Sequence, residues 1–454
     1  MNTVIARFRG ASLSARVLRS SMLTVGGFGF SQMLRLASNL LLTRLLFPEA
    51  FGMMALVMIF IQAVYQFSDL GVTPAIMQSK RGDDPEFLNT AWTIQVIRGF
   101  GLWAMACVLA WPMSLFYGEP QLMHLLPVAA FSLVISGFDP TKMDTANRHL
   151  LLGRVTALDM ITQVTGITSA VLLAWLTGSV WALVFSNLIS AVVQVIINTV
   201  FLPGPNNRFR WEKEAAQELI NFGKWIFLST IAGFLFQQGD KILFGKYLAL
   251  DNFGIYSIGF FLASFPLLLG NMVTGKILIP IYREAPPKDS PENFAKLRKM
   301  RTIVTAGLLA MLWVFSLLGV WLVGVMYDDR YLAAGPMVVL IAVMQMPQVI
   351  VLTYDMAALA MGDSKRFFVL AGARAFFTLA TLLIGLELAG VIGGIVARGV
   401  STLLVYPVVV WLSRRTGAWD VWHDVGFAGL AAVLGAGALA FHWHEVTTLI
   451  GIGM

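Results

Sequence analysis

SSMLTVGGFGFSQMLRLASNLLLTRLLFP, residues 20–48, is apolar over more than the length that crosses a bilayer, for which about 20 residues at 1.5 Å rise suffice. Its middle carries Gln32, Arg35 and Asn39, spaced three and four apart, so on a helix all three leave from one face. An arginine at mid-membrane costs roughly 2.5–3.5 kcal/mol on insertion scales, so that face belongs against other helices or a wet cavity rather than lipid. The stretch reads as the first span of a helical bundle with a polar interior. Arg35 is a candidate contact for an anion, its bland alternative being a buried tie to a carboxylate.

Working outward, hydrophobic residues make up 57% of the 454 and charged residues 13%, with a mean hydropathy of +0.76. That lies outside soluble usage and places the chain among all-α polytopic membrane proteins. Arg7, Arg9, Arg16 and Arg19 precede the first span without a short apolar core and a small-residue cleavage site, so no cleaved signal is expected. The single cysteine, Cys107, sits in an apolar run and reads as packing, since one thiol makes no internal disulfide and no cysteine metal cluster. His442, His444 and Glu445 make an incomplete ligand set, so no metal is expected, and Trp443 beside them reads as an interface anchor.

Spans are expected at residues 20–46, 51–72, 87–115, 122–147, 154–176, 179–202, 219–248, 252–278, 300–326, 331–361, 366–388, 391–413 and 424–442. With the N-terminus in the cytoplasm, alternate loops carry Lys80 and Arg81; Lys142, Arg148 and Arg154; Arg208, Arg210, Lys213 and Lys224; Arg283 through Arg301; Lys365 and Arg366; Arg414 and Arg415. The opposite loops hold only Arg44, Lys246 and Arg330. This asymmetry fixes the orientation and explains the net charge of +7 without a nucleic-acid partner.

The chain also repeats. Laying residues 41–54 (LLTRLLFPEAFGMM) over residues 243–256 (LFGKYLALDNFGIY) aligns Phe51 with Phe253, Gly52 with Gly254, Arg44 with Lys246 and Glu49 with Asp251. The same register sets Arg35 on Gln237 and Asn39 on Lys241. Two six-helix halves follow, both starting inside and therefore parallel repeats. The divisions are residues 1–202 for the first bundle, 203–218 for a cytoplasmic linker that reads as an interfacial helix or a plain connector, 219–415 for the second bundle, and 416–454 for a thirteenth helix with a short outward-facing tail.

Residues 43–80, TRLLFPEAFGMMALVMIFIQAVYQFSDLGVTPAIMQSK, resemble the opening of bacterial oligosaccharide flippases, the Wzx-type polysaccharide transporters of the multidrug/oligosaccharidyl-lipid/polysaccharide exporter superfamily. The pattern is a span ending in Arg44-Leu45-Leu46, a Pro-Glu-x-Phe-Gly turn, and an apolar helix closing on Phe67-Ser68-Asp69-Leu70-Gly71. The resemblance implies two six-helix bundles in a V-shaped arrangement and alternating access in the bacterial inner membrane. It implies movement of an undecaprenyl-diphosphate-linked oligosaccharide from the inner to the outer leaflet for surface polysaccharide synthesis. A polysaccharide polymerase and its chain-length machinery are the partners it suggests. The thirteenth helix departs from the twelve-helix core of that family.

For such a substrate the intramembrane cations Arg35, Arg98, Lys241, Arg374 and Arg398 are the candidate contacts, because arginine replaces lost water on a diphosphate with bidentate, charge-assisted bonds. Gln32, Asn39 and Gln237 offer partners to sugar hydroxyls. No cofactor is expected. The energy source is the membrane potential, worth about 2.3 kcal/mol per charge per 100 mV, or protons or sodium ions acting through Asp69, Asp240 or Glu387. Two rivals stand beside this reading. A membrane enzyme is excluded because the loops, about twenty residues at most, cannot hold a nucleotide-sugar site. A multidrug or small-metabolite exporter of the same superfamily would share the fold, but a cation exporter calls for carboxylates where Arg35 and Arg98 stand.

Overall fold

The computed structural model describes residues 13–68, 71–149, 151–355, 357 and 364–451. Every regular element among the described residues is helical, and the chain falls into two compact units. One comprises residues 1–46 and 57–230, the other residues 47–56 and 231–454.

In the first unit the elements are α1 (Leu13–Leu45), α2 (Pro48–Phe67, whose first turns count with the second unit), α3 (Val72–Gln78), α4 (Pro85–Tyr117), α5 (Leu122–Gly137), α6 (Lys142–Arg148), α7 (Leu152–Thr177), α8 (Trp181–Phe201) and the start of α9 (Lys213–Tyr247). Helix α4 shows why its bounds fall where they do. Asp84 caps it by accepting from the Glu86 N–H at 3.1 Å, Pro85 opens the first turn, and Gly118 ends it at φ 74°. Helix α4 packs along α5, α7 along α8, and α1 along α7. Gly99 faces Gly137 at the first of these contacts, and a Cβ on Gly99 would stand 2.7 Å from the Leu133 carbonyl. Close approach through small residues is the means by which helices attract one another in lipid, where no hydrophobic force operates between them.

The second unit adds α10 (Leu250–Ala263), α11 (Phe265–Val273), a π turn (Thr274–Leu278), α12 (Ile279–Glu284), α13 (Pro291–Met326), α14 (Ala334–Leu352), α15 (Ser364–Thr416), α16 (Val421–Phe441) and α17 (Trp443–Thr447). Helix α14 is its hub: 83% of that span's apolar window is buried, against 33% or less for the other spans. It packs on α10, α13, α15 and α16, and its Val, Ile, Met and Leu side chains join two apolar clusters. Helix α15 breaks at Ala389 and Gly390, the latter at φ 53° and ψ −134°, a conformation essentially closed to other residues. Gly385 and Gly393 then bring the two arms together so tightly that a Cβ on either would strike the other's carbonyl. The expected separate spans at 366–388 and 391–413 are these two arms.

The sequence repeat has a physical counterpart in this unit. Gly52 and Gly254, equivalent in the repeat, lie against each other, so that a Cβ on Gly254 would run into the Pro48 carbonyl and one on Gly52 into the Leu250 carbonyl.

Two expectations need correction. The span at 122–147 is not continuous: α5 and α6 meet at 61°, because Pro140 disfavours the helical conformation for Asp139 before it. The span at 252–278 bends by 45° between α10 and α11, where Pro266 stands in the first turn of the second piece. Of the linker expected at 203–218, residues 203–212 carry no regular element and α9 begins at Lys213. The N–H groups of Arg208, Arg210 and Glu212 donate to the Asn89, Thr93 and Thr90 side chains of α4, at 2.9, 3.1 and 3.0 Å. Those side-chain acceptors replace the helical ladder as partners.

Candidate functional site

Helix α1 carries the polar stripe that opened the sequence reading. Ser31 donates to Gln163 Oε1 at 2.7 Å and the Gln163 amide returns a bond to the Ser31 carbonyl at 3.0 Å, fastening α1 to α7. Ser38 is buried, Gln32 and Asn39 are half-buried, and Arg35 is exposed. Among the described residues Arg35 forms no ion pair.

Arg98 on α4 is held differently. Its Nη2 donates to the Tyr65 carbonyl at 2.7 Å and its Nε to Ser68 Oγ at 2.9 Å, with the guanidinium 4.7 Å from the Tyr65 ring centroid. These partners lie in the last turn of α2, where carbonyls lack helical donors and the dipole is negative, so a cation there meets both needs. Arg98 also lines a cavity of about 190 Å³ with Gln95, Thr73, Asp139 and Asp144.

In the second unit the cations meet carboxylates. Asp240, fully buried on α9, accepts from the Tyr256 hydroxyl at 2.8 Å and stands 2.6 Å from Nη1 of Arg398. Arg398 and Lys241 both face the Phe260 ring, at 5.3 and 5.1 Å from its centroid. Arg374 holds Asp355 through both terminal guanidinium nitrogens, Nη1 at 2.8 Å. Gln237 is exposed, and Glu387, also exposed, accepts from the Tyr247 hydroxyl at 3.3 Å. Asp69 lies outside the described residues. Arg374 and Arg398 are thus each paired with a carboxylate, whereas Arg35 forms no ion pair among the described residues.

Ion pairs also tie the basic ends of the spans. Arg81 donates to Glu212 at 2.7 and 2.9 Å, and its bond to Asp84 holds that carboxyl below its ordinary value. Arg298 does the same for Asp420, which caps α16 by accepting from the His423 N–H at 3.2 Å.

Sequence reasoning missed two groups. Arg301, counted above with a basic loop, is inside α13 and fully buried, its Nη1 donating to the Ala418 carbonyl at 2.8 Å and its guanidinium 4.1 Å from the Tyr354 ring centroid. Tyr354 and Tyr406 in turn donate to Asp424 at 2.8 Å each. Nothing in the local pattern of KLRKMR separates Arg301 from its exposed neighbours. Asp139 and Asp144 were hidden in a span read as continuous, although Gly137-Phe138-Asp139-Pro140 was the available signal of a break. No group of three metal-ligating side chains occurs among the described residues.

A family profile described as Polysaccharide biosynthesis protein matches residues 41–336. The succinoglycan biosynthesis transport protein ExoT of Rhizobium meliloti (strain 1021) is 24% identical over 311 residues, covering 66% of this chain and 60% of that protein. The teichuronic acid biosynthesis protein TuaB of Bacillus subtilis (strain 168) is 21% identical, covering 66% of this chain and 62% of its own. The lipopolysaccharide biosynthesis protein WzxC of Escherichia coli (strain K12) is 20% identical, with 85% and 77% covered. The chain therefore spans about 60% of the length of the first two. Among solved structures, the lipid II flippase MurJ in an inward closed conformation matches with a TM-score of 0.71 at 13% identity, over 95% of this chain and 96% of that one. An inward-facing multidrug resistance transporter of the MATE family and the MOP superfamily matches at 0.61 with 15% identity, over 86% and 95%. These structural likenesses concern the fold.

Proposed function

We infer, from the premise that this chain belongs to the polysaccharide biosynthesis protein family, that it is a flippase for an undecaprenyl-diphosphate-linked oligosaccharide, working from the inner to the outer leaflet of a bacterial inner membrane. The observation that carries the reading is Arg35, an exposed arginine in the middle of an apolar span. A diphosphate entering a membrane loses its water, and a guanidinium restores two bonds at once while its charge lowers the cost of the transfer. The oligosaccharide beyond it needs hydroxyl partners, which Gln32 and Asn39 supply on the same face of α1. The polyprenyl tail has no such requirement and stays in lipid.

Arg374 and Arg398, each already bound to a carboxylate, hold the second unit together in this scheme and do not act as open contacts. With the cytoplasm negative, the potential pulls the anionic head outward, so an emptied cationic site is drawn back without a further cofactor. The relatives named for succinoglycan, teichuronic acid and lipopolysaccharide synthesis support a substrate of this class.

The test is the lipid-linked oligosaccharide pool in a host lacking the protein, scored by leaflet accessibility. Accumulation facing the cytoplasm, relieved by the wild-type gene, is the expected result. A pool distributed as in the parent strain would overturn the reading in favour of a small-molecule exporter.

A further inference from the structure

Five elements of the first unit meet around the cavity that holds Arg98. Helix α2 ends there at Phe67, α3 resumes at Val72, α4 crosses beside it, and α5 breaks into α6 across Phe138 to Thr141. The cavity between these elements measures about 190 Å³. At ~30 Å³ per water this is room for about six waters, the space of one pyranose ring.

The chemistry of the walls selects the occupant. Asp139 accepts from the Asn198 amide with both oxygens, at 2.8 and 3.1 Å, and Asp144 accepts from Thr73, so the polar lining is richer in acceptors than in cations. Lys142, although buried nearby, does not reverse the balance, because its Nζ donates away from the pocket to the Thr199 carbonyl and Asn206 Oδ1, both at 2.7 Å. Gln95 and Thr73 add groups that both donate and accept. Gly99, Leu102 and Leu133 give the lining an apolar part, and the Tyr65 ring, which also lines it, is exposed. Carboxyl acceptors for hydroxyls together with apolar lining are what a sugar ring requires, while a bare metal ion would meet the Arg98 charge.

We propose that this pocket is a monosaccharide subsite, which receives one sugar of the lipid-linked oligosaccharide through Thr73, Gln95, Asp139 and Asp144. The proposal rests on the transport reading and deepens it: the diphosphate is read by Arg35 and sugar identity here.

The experiment uses the full-length protein in nanodiscs with two probes, undecaprenyl diphosphate alone and undecaprenyl diphosphate bearing the host's own repeat-unit oligosaccharide. Wild type binds the glycosylated lipid more tightly than the bare one. Thr73→Val and Gln95→Ala each weaken binding of the glycosylated lipid about three- to tenfold, the worth of one or two hydroxyl bonds, and change the bare lipid less than about twofold. The bare lipid also serves as the check that each variant is folded. Both variants binding the glycosylated lipid as well as wild type does, or losing both lipids equally, would overturn the subsite and leave the flippase standing. Wild type binding neither lipid would overturn the transport reading and the subsite with it.

Discussion

Removing one partner from the Asp240–Arg398 pair should cost far more than removing both. Arg398→Met strips the counter-ion from a carboxylate that is 0% exposed, with only the Tyr256 hydroxyl still donating to it. Breaking a buried pair this way costs about 3–5 kcal/mol. Asp240→Leu leaves the Arg398 side chain, 15% exposed and facing Phe260, so its cost falls at the lower end, about 3 kcal/mol. In the double variant no charge is stranded. What remains is the loss of the acceptor for Tyr256, about 1–2 kcal/mol, so the two changes should couple by several kcal/mol. Unfolding by SDS titration in mixed micelles measures all four proteins. A double variant more stable than Arg398→Met alone is the expected order. Costs that simply add would show that the two groups do not form a closed electrostatic unit, and the assignment of Arg398 to structure would fail.

Other consequences are briefer to state. Gly254→Ala drives a methyl into the Pro48 carbonyl and should destabilise the second unit by about 1–3 kcal/mol, whereas Gly426→Ala, with open space at its Cβ, should be near neutral in the same titration. Arg301→Met should destabilise by about 3 kcal/mol or more by leaving the Ala418 carbonyl and the Tyr282 and Tyr354 hydroxyl oxygens without their donor, and should do so without changing lipid selectivity. Asp420 has a folded value below its ordinary 3.8, so its contribution is complete above 3.8 and is lost as the pH falls from there through the lower folded value. Acidification from about pH 5 to about pH 3 should therefore lower the stability of wild type more than that of Asp420→Asn.

The spans were legible because each is set by an apolar length that a bilayer dictates, and even the turn at Ala389–Gly390 showed as a gap between two such lengths. The bends at Asp139–Pro140 and Ser264–Phe265 were not, since hydropathy averaged over a whole span is blind to direction and lets the apolar piece Leu122–Gly137 mask the polar Lys142–Arg148. The intramembrane charges were visible as a set, but their partners were not. Arg398 finds Asp240 and Arg374 finds Asp355 through helix packing that no local pattern encodes. Arg35 and Arg98 looked alike in the sequence, yet one is exposed while the other is bound into the end of α2. The repeat was the exception among long-range features, because Gly52 and Gly254 serve the same close approach and so share a residue type.

Reconstitution of the purified protein into vesicles with its glycosylated undecaprenyl diphosphate, followed by the fraction of that lipid open to an added glycosidase, tests the role of Arg35 without a cell. Wild type should expose the lipid sealed in the inner leaflet over time, while Arg35→Ala, folded to the same stability, should leave it protected as in empty vesicles. Equal exposure by wild type and Arg35→Ala would remove Arg35 from the substrate path and with it the observation on which the transport mechanism stands.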